Sequence, residues 1–319
     1  MKKVLITGYN GFVGDYLARE ILSKYPGALV TGVDKSVDAN KNKDVTVEEC
    51  NFADFANVFE IVKKYSPEVI FHLAAESSVA SSWHSPSFMI SNNVNSQINL
   101  LESLLKLNMT GARVVVAGSS EEYGEVAPGM LPVNEQCHFR PLSAYAVSKV
   151  AQDMMAFQYF KSYNMNILRV RCFNLCGPGQ HSKYVLSSFA RQIAEIEASG
   201  AGAGTIKVGN LDVIRDYTDV RDAAGYYIEL AEKGEAGEVY NLCSGNKFNM
   251  KDLLDILIGH SKVKIEVEID PLKFRPSDLK VIYGDNARLL SLCGYSPRFD
   301  IGLTLRSMLD HWREFLRRS

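Results

Sequence analysis

The stretch TGYNGFVG, residues 7–14, decides the fold, because it follows the short apolar run KVLI and precedes an amphipathic segment. Gly8, Gly11 and Gly14 recur in it at intervals of three residues. A tight turn requires a residue that tolerates positive φ, and a phosphate group that approaches the backbone requires a position without a Cβ. A strand, a turn and a helix in this order predict a site for the diphosphate of a dinucleotide; a bare turn is the alternative.

Asp34 ends the second predicted strand, 20 residues after Gly14. An acidic residue at this distance binds the 2′-hydroxyl of a ribose, and its charge repels a 2′-phosphate. The sequence therefore predicts NAD as the cofactor. The positive charge of the neighbouring Lys35 would weaken the preference for NAD over NADP. A loop-capping role is the alternative for Asp34. The cofactor contacts predicted at the turn itself are Gly8, Gly11, Phe12, Val13 and Gly14.

Short apolar runs alternate with longer amphipathic segments through the first half of the chain. The runs VIFHLAA, from Val69, and RVVVAG, from Arg113, are almost continuously apolar, as in strands that are buried on both faces. Strands separated by helices of about ten or more residues predict an α/β fold with a Rossmann-type, doubly wound parallel sheet. We expect this domain over residues 1–170 and a smaller α/β substrate-binding lobe over residues 171–319, with a soft boundary and interleaving segments.

The overall composition excludes several classes of function. The chain has 319 residues and a formal net charge of −2, which favours neither nucleic acid nor an anionic membrane as a partner. Its six cysteines lack the spacing of metal ligands, which argues against a metal site and favours a reducing, cytoplasmic location. There is no run of about 18 apolar residues, and MKKVLITG is too polar for a signal peptide.

A tyrosine and a lysine stand four residues apart in SAYAVSK, on a predicted helix with Ser143 as its N-cap. One helical turn separates Tyr145 from Lys149, so both side chains lie on the same face. A cation about 6 Å from a phenol, at an effective dielectric constant of about 20, lowers the phenol pKa by about two units. The pair therefore predicts a base for the oxidation of an alcohol, although the spacing also arises by chance.

The stretch GSSEEYG, residues 118–124, stands where RVVVAG would reach the carboxyl edge of the sheet. With TGYNGFVG, HLAAESS, FNLCGPG and the Tyr145–Lys149 pair, it resembles the extended short-chain dehydrogenase/reductase superfamily. The segments ESSVASSWHSP, GNLDVIRDYTDVRD and FRPSD are most similar to enzymes that modify GDP-sugars. These are the GDP-mannose 4,6-dehydratases and the related GDP-4-keto-6-deoxymannose reductases.

The resemblance implies catalytic roles for the residues of GSSEEYG. Ser119 would hydrogen-bond the reacting hydroxyl and complete a triad with Tyr145 and Lys149. Glu121 falls on the glutamate with which dehydratases take the proton from C5 of the hexose, and Ser120 would lie near the C6 oxygen.

Two features of GSSEEYG qualify these roles. Some reductases of the subgroup also carry an acid at the position of Glu121. Glu122 replaces the apolar residue that is usual in the family, and we expect it to be solvated.

The resemblance also implies residues that bind the cofactor and the substrate. Beyond the glycine turn, the expected cofactor contacts are Asp34, Lys35, Asn51, Phe52, Leu73, Ala74, Ala75, Asn93, Tyr145 and Lys149. The expected substrate contacts are Ser77, Asn174, Arg215 and Arg275, with the two arginines on the diphosphate. For each arginine, a surface ion pair with a neighbouring aspartate is the alternative.

The function that the sequence favours is a nucleotide-sugar 4,6-dehydratase acting on a GDP-hexose, because Asp34 suits an NAD that stays bound and is regenerated. A 4-ketosugar reductase or an epimerase of the same superfamily is the first alternative. A non-catalytic NAD-binding protein is the second. The resemblance further implies a homodimer formed by helices near residues 88–107 and 144–162.

Overall fold

The computed structural model describes residues 1–36, 42–274 and 279–318, apart from the side chain of Ala80. The chain divides into two compact units. The first unit consists of Met1–Cys172, Ala224–Leu242 and Asp285–Ser296, and the second of Phe173–Ala223, Cys243–Gly284 and Pro297–Ser319. Two segments that follow residue 172 in the chain therefore belong to the first unit.

Strands and helices alternate up to the end of β6, except that β3 directly follows β2 and α4 directly follows α3. They are β1 (Lys3–Thr7), α1 (Phe12–Lys24), β2 (Leu29–Asp34), β3 (Thr46–Glu49), α2 (Phe55–Tyr65), β4 (Val69–His72), α3 (Val79–His84), α4 (Pro86–Lys106), β5 (Arg113–Ser119), α5 (Ala144–Tyr163) and β6 (Ile167–Cys172).

The rest of the chain has shorter strands. Its elements are β7 (Asn174–Cys176), α6 (Val185–Ala198), β8 (Ala203–Val208), β9 (Ile214–Arg215), β10 (Tyr217–Asp219), α7 (Val220–Lys233), β11 (Val239–Leu242), β12 (Phe248–Asn249), α8 (Met250–Gly259), β13 (Lys264–Ile269), β14 (Val281–Ile282), α9 (Ala287–Leu292) and α10 (Ile301–Arg318).

A seven-stranded sheet in the order β11-β6-β5-β4-β1-β2-β3 forms the centre of the first unit. Every neighbouring pair of strands in it is parallel. The predicted Rossmann-type sheet is thus confirmed, and β11 from the second half of the chain extends it. The strand order reverses between β1 and β4, and ligands bind beyond the carboxyl ends of the strands at such a position.

Helices cover the sheet because its strands are apolar on both faces. All four residues of β4 are buried, and α2, α4 and α5 pack against one face of the sheet around Ile70, Leu101 and Val116. As predicted, Ser143 caps α5: its hydroxyl oxygen accepts a hydrogen bond of 3.1 Å from the amide of Ala146. This cap fixes the start of the helix that carries Tyr145.

The second unit has its own apolar core between α6, α8 and α10. Small sheets complete it: β13 pairs with β8, β10 pairs with β7, and β9 lies between β12 and β14. No helix among the described residues is both long enough and apolar enough to cross a membrane. The cytoplasmic location stays a prediction.

Candidate active site

The glycine turn between β1 and α1 is shaped by close backbone packing. Gly8 has a φ of +69°, and a Cβ at this position would lie 2.8 Å from the amide nitrogen of Ala74. A Cβ on Gly14 would lie 2.4 Å from the carbonyl oxygen of Tyr9. Gly11 is the N-cap of α1 and provides no capping side chain, so the first amides of the helix suit an anion. The turn therefore fits the diphosphate of a dinucleotide.

The carboxylate of Asp34 lies directly beside this turn. It accepts hydrogen bonds from the amide of Asn10, at 2.8 Å, and from the amide of Lys35, at 2.7 Å. The ammonium of Lys35 instead donates to Asn92 on α4, at 3.0 Å. The predicted ribose-binding residue is thus fixed at the end of β2, while the lysine beside it is held by another helix.

The other predicted cofactor residues lie at the ends of neighbouring strands. Leu73, Ala74 and Ala75 follow β4 and are half-buried, and the amide of Ala74 donates to the hydroxyl of Thr7 at 3.1 Å. Phe52 is buried with its ring centroid 6.1 Å from that of His72, whereas Asn51 is exposed. Phe12 and Val13 open α1 and are half-buried.

Asn93 supports the loop after β4 from beneath. It has no solvent exposure, and its side-chain oxygen accepts from the amide of Glu76 at 2.8 Å. Its side-chain nitrogen donates to the carbonyl of Glu76 and to the hydroxyl of Ser148, at 3.1 and 3.0 Å. The side chain therefore holds the loop from within the core, and its direct contact with a cofactor stays a prediction.

Tyr145 and Lys149 are both buried on one face of α5. The ammonium nitrogen of Lys149 lies 6.0 Å from the ring centroid of Tyr145 and donates a hydrogen bond of 2.9 Å to the carbonyl of Ala117. Burial lowers the pKa of Lys149 to about 8, while Glu122 and then Cys172 oppose the fall. The lysine therefore still carries its charge at neutral pH.

The residues Ser119, Ser120 and Glu121 come directly at the end of β5. Ser119 is the last residue of the strand, and its hydroxyl accepts from the amide of Glu121 at 3.2 Å. Residues Ser120–Glu122 form a 3₁₀ turn that packs against α5, the helix of Tyr145 and Lys149. Ser119 and Ser120 are buried, and Glu121 is half-buried. The predicted catalytic residues thus share one edge of the first unit.

The expectation that Glu122 is solvated is wrong, because its side chain has no solvent exposure. One carboxyl oxygen accepts a hydrogen bond of 2.7 Å from the amide of Ser119, and the other lies 3.3 Å from the guanidinium of Arg171. Burial, and then Asp153, raise the pKa of Glu122 well above its usual range, while Arg171, the Ser119 amide and Lys149 oppose the rise.

A buried ion network extends from Glu122 into the core. Asp153 binds Arg169 at 2.7 Å and Arg171 at 3.0 Å, and all three side chains are buried. These residues were not predicted from the sequence. Two signals could have revealed them: arginines at alternate positions of the buried strand β6, and an aspartate one helical turn after Lys149.

The predicted substrate residues are distributed over both units. Ser77 is exposed in the first unit. In the second unit, the Asn174 side chain donates to the carbonyl of Asp216 at 3.0 Å, and the Arg215 guanidinium donates to the carbonyl of Ile214 at 2.9 Å. Arg275 lies outside the described residues. The roles of these four residues stay predictions.

Comparison with known proteins places the chain in a family. Residues 5–308 match the family described as GDP-mannose 4,6 dehydratase. GDP-6-deoxy-D-mannose reductase from Pseudomonas aeruginosa is 30% identical over 316 residues, which cover 99% of both chains. GDP-mannose 4,6 dehydratase 1 from Arabidopsis thaliana is 26% identical over 341 residues, which cover 99% of this chain and 91% of the relative.

Solved structures agree with this assignment. RMD from Pseudomonas aeruginosa, complexed with NADPH, has a TM-score of 0.83 and 28% identity, with 98% of this chain and 100% of that chain covered. UDP-glucose 4-epimerase from Thermus thermophilus, in complex with NAD, has a TM-score of 0.84 and 26% identity, with coverage of 98% and 99%. The chain therefore belongs to the GDP-mannose 4,6 dehydratase family, within the extended short-chain dehydrogenases/reductases that act on nucleotide sugars.

Proposed function

We propose that this protein reduces the C4 ketone of a GDP-linked 4-keto-6-deoxyhexose to a hydroxyl group. The observation that carries the proposal is the match to GDP-6-deoxy-D-mannose reductase, which spans 99% of both chains. The chain spans only 91% of the Arabidopsis dehydratase, at lower identity. The proposal thus departs from the dehydratase that the sequence favours and takes up its first alternative.

The geometry around Tyr145 supports a reduction at C4. A bound NADH or NADPH would supply the hydride to C4. The phenol of Tyr145 would donate its proton to the C4 oxygen, and the Ser119 hydroxyl would hydrogen-bond the same oxygen. The Lys149 ammonium, 6.0 Å from the Tyr145 ring centroid, would stabilise the phenolate left behind.

NAD is the cofactor that the site supports best. The Asp34 carboxylate is held beside the glycine turn by two backbone amides, where its charge would repel the 2′-phosphate of NADP. The structures of relatives contain either NAD or NADPH, so both reduced cofactors belong in the test.

A 4,6-dehydratase is the second candidate, and Glu121 favours it. This half-buried carboxylate follows Ser119 by two residues on the turn that packs against α5. In a dehydratase, Tyr145 would take the proton of the C4 hydroxyl, Glu121 would take the proton from C5, and Ser120 would lie near the departing C6 oxygen. The cofactor would end in its starting oxidation state.

We also propose a homodimer formed by α4 and α5. Phe88, Ile90, Val147, Met154 and Phe157 on these helices are each more than a third exposed. Apolar side chains concentrated on two helices are typical of a surface that another chain covers. A monomeric mass in sedimentation equilibrium would contradict this assembly.

Stoichiometry tests the proposed function. Purified protein is mixed with GDP-mannose, or with GDP-4-keto-6-deoxymannose and either NADH or NADPH, and products are identified by mass spectrometry. We expect one equivalent of reduced cofactor to be consumed per ketosugar, faster with NADH, and no conversion of GDP-mannose. Formation of a 4-keto-6-deoxy product from GDP-mannose without added cofactor would contradict the reductase and support the second candidate.

A further inference from the structure

The carboxyl group of Glu122 packs against Gly118, which has no Cβ. A Cβ on Gly118 would lie 2.5 Å from a carboxyl oxygen of Glu122, so a larger residue at 118 would displace this group. The same oxygen accepts the hydrogen bond from the Ser119 amide. Glycine at one position and glutamate at the other thus fit together beneath the end of β5.

The groups around Glu122 carry more positive than negative charge. Those that face it or its lysine partner are Lys149, Asp153 and Tyr145 on α5, Arg171 and Cys172 on β6, His72 on β4, and Tyr123 beside it, and Asp153 in turn binds Arg169 on β6. Lys149, Arg169 and Arg171 are cations, whereas Asp153 is the one other carboxylate among these groups. With Glu122 ionised these groups carry a net charge of +1, and with Glu122 protonated they carry +2; Arg171 and Lys149 thus oppose the rise in the pKa of Glu122 that burial and Asp153 cause.

Several partners fix the guanidinium of Arg171 beside Glu122. Its guanidinium already binds Asp153 at 3.0 Å, the Glu135 carbonyl at 2.9 Å and the Tyr123 hydroxyl at 3.1 Å. These bonds fix the guanidinium, which lies 3.3 Å from one carboxyl oxygen of Glu122. The other carboxyl oxygen accepts from the Ser119 amide, and the ammonium of Lys149 donates to the carbonyl of Ala117, so both groups are bound at the last residues of β5.

We propose that Glu122 is a positioning residue that keeps Lys149 positively charged and holds the Ser119 backbone at the end of β5. This role rests on the proposed function in one respect, which is that Lys149 and Ser119 belong to the reacting site. The lowered pKa of Lys149, which Glu122 opposes, agrees with this role. Without the carboxylate, burial would drive the lysine towards its neutral form, and the phenol of Tyr145 would lose its cationic neighbour.

Titration of Lys149 tests the proposal without any substrate. Protein labelled with ¹³C at the lysine Cε is titrated by NMR, and the Lys149 signal is assigned by its loss in Lys149→Arg. In the native protein we expect a midpoint of about 8. Even at about 10 Å and an effective dielectric constant of about 20, one unit charge shifts a pKa by about one unit. Glu122→Gln, which keeps an oxygen for the Ser119 amide, should therefore lower the midpoint by about one unit or more.

Glu125→Gln is the matched control, because Glu125 is exposed and belongs to the same loop. It should leave the Lys149 midpoint unchanged. An unchanged midpoint in Glu122→Gln would overturn the proposal. The titration contains no substrate, so an unchanged midpoint would not contradict the proposed reduction. Conversely, a protein that fails to reduce the ketosugar could still show the shifted midpoint of Lys149.

A second measurement uses the native protein and so does not depend on the folding of a variant. The carboxyl ¹³C signal of Glu122 is followed in glutamate-labelled protein across the titration of Lys149. An ionised carboxylate throughout that range supports the proposal. A carboxyl group that stays protonated while Lys149 loses its proton would overturn it, because a neutral Glu122 cannot stabilise the ammonium.

Discussion

Glu122 in the first unit and Asp216 in the second are both completely buried carboxyl groups, but their surroundings differ. Asp216 accepts from the amide and the hydroxyl of Ser244, at 2.9 and 2.8 Å, and from the amides of Gly245 and Gly284, at 3.0 and 3.4 Å. Glu122 accepts from one amide and otherwise depends on the charges of Arg171 and Lys149.

The two arrangements serve different purposes. Neutral amides and a hydroxyl satisfy Asp216 from within one unit and join three segments of backbone, which is a structural role. Charged partners make the protonation of Glu122 and Lys149 depend on each other, so that a change in one changes the other. We therefore expect changes in the Glu122 cluster to alter rates and pH dependence, and changes at Asp216 to alter stability.

The largest expected effect is on the rate, from Tyr145→Phe. Removal of a general acid typically lowers kcat by about 10²- to 10⁴-fold, and we expect about 10³-fold here with an unchanged urea midpoint. The matched control is Tyr163→Phe, at the exposed end of the same helix, which should keep native kcat. A kcat within tenfold of native in Tyr145→Phe would show that the proton comes from another group.

The next effect is on stability, from Asp216→Ala. This change leaves the amides of Ser244 and Gly245 and the buried amide of Gly284 without their acceptor, so we expect a loss of about 3 kcal/mol in the free energy of unfolding. Urea denaturation measures it, with Asp212→Ala as the control because Asp212 is 81% exposed. Native stability in Asp216→Ala would contradict a structural role for this carboxylate.

The smallest effect concerns pH. The pKa of Lys149 is lowered to about 8, so its ammonium is present below that pH and is lost above it. We expect kcat of the reduction to fall as the pH rises through about 8, by about tenfold per unit at most. The profile is measured from about pH 6 to 10 with saturating substrates, alongside the urea midpoint. A rate that stays constant or rises up to pH 9 would contradict a requirement for the charged lysine.

The sequence predicted the glycine turn and the main helices well, because their signals are local. TGYNGFVG contains both the turn residues and the start of α1, and Ser143 precedes the helix that it caps. The spacing of Tyr145 and Lys149 likewise follows from one helical turn. Each of these signals spans only a few residues of sequence.

The environment of Glu122 could not be predicted in this way. Its burial depends on Gly118 in β5, Arg171 in β6 and Lys149 in α5, which meet only when the sheet and the helix have assembled. Seen alone, a glutamate after the strand resembles a solvated loop charge. The entry of β11 into the main sheet also depends on pairing between segments that are distant in the chain.

The destination of the hydride distinguishes a reductase from a dehydratase. The protein is incubated with GDP-4-keto-6-deoxymannose and NADH that carries deuterium at the transferable nicotinamide position, and the product is analysed by NMR. For a reductase we expect one deuterium per molecule at C4 of a 6-deoxyhexose, and almost none after Tyr145→Phe. Unlabelled ketosugar, together with conversion of GDP-mannose to a 4-keto-6-deoxy product, would contradict it.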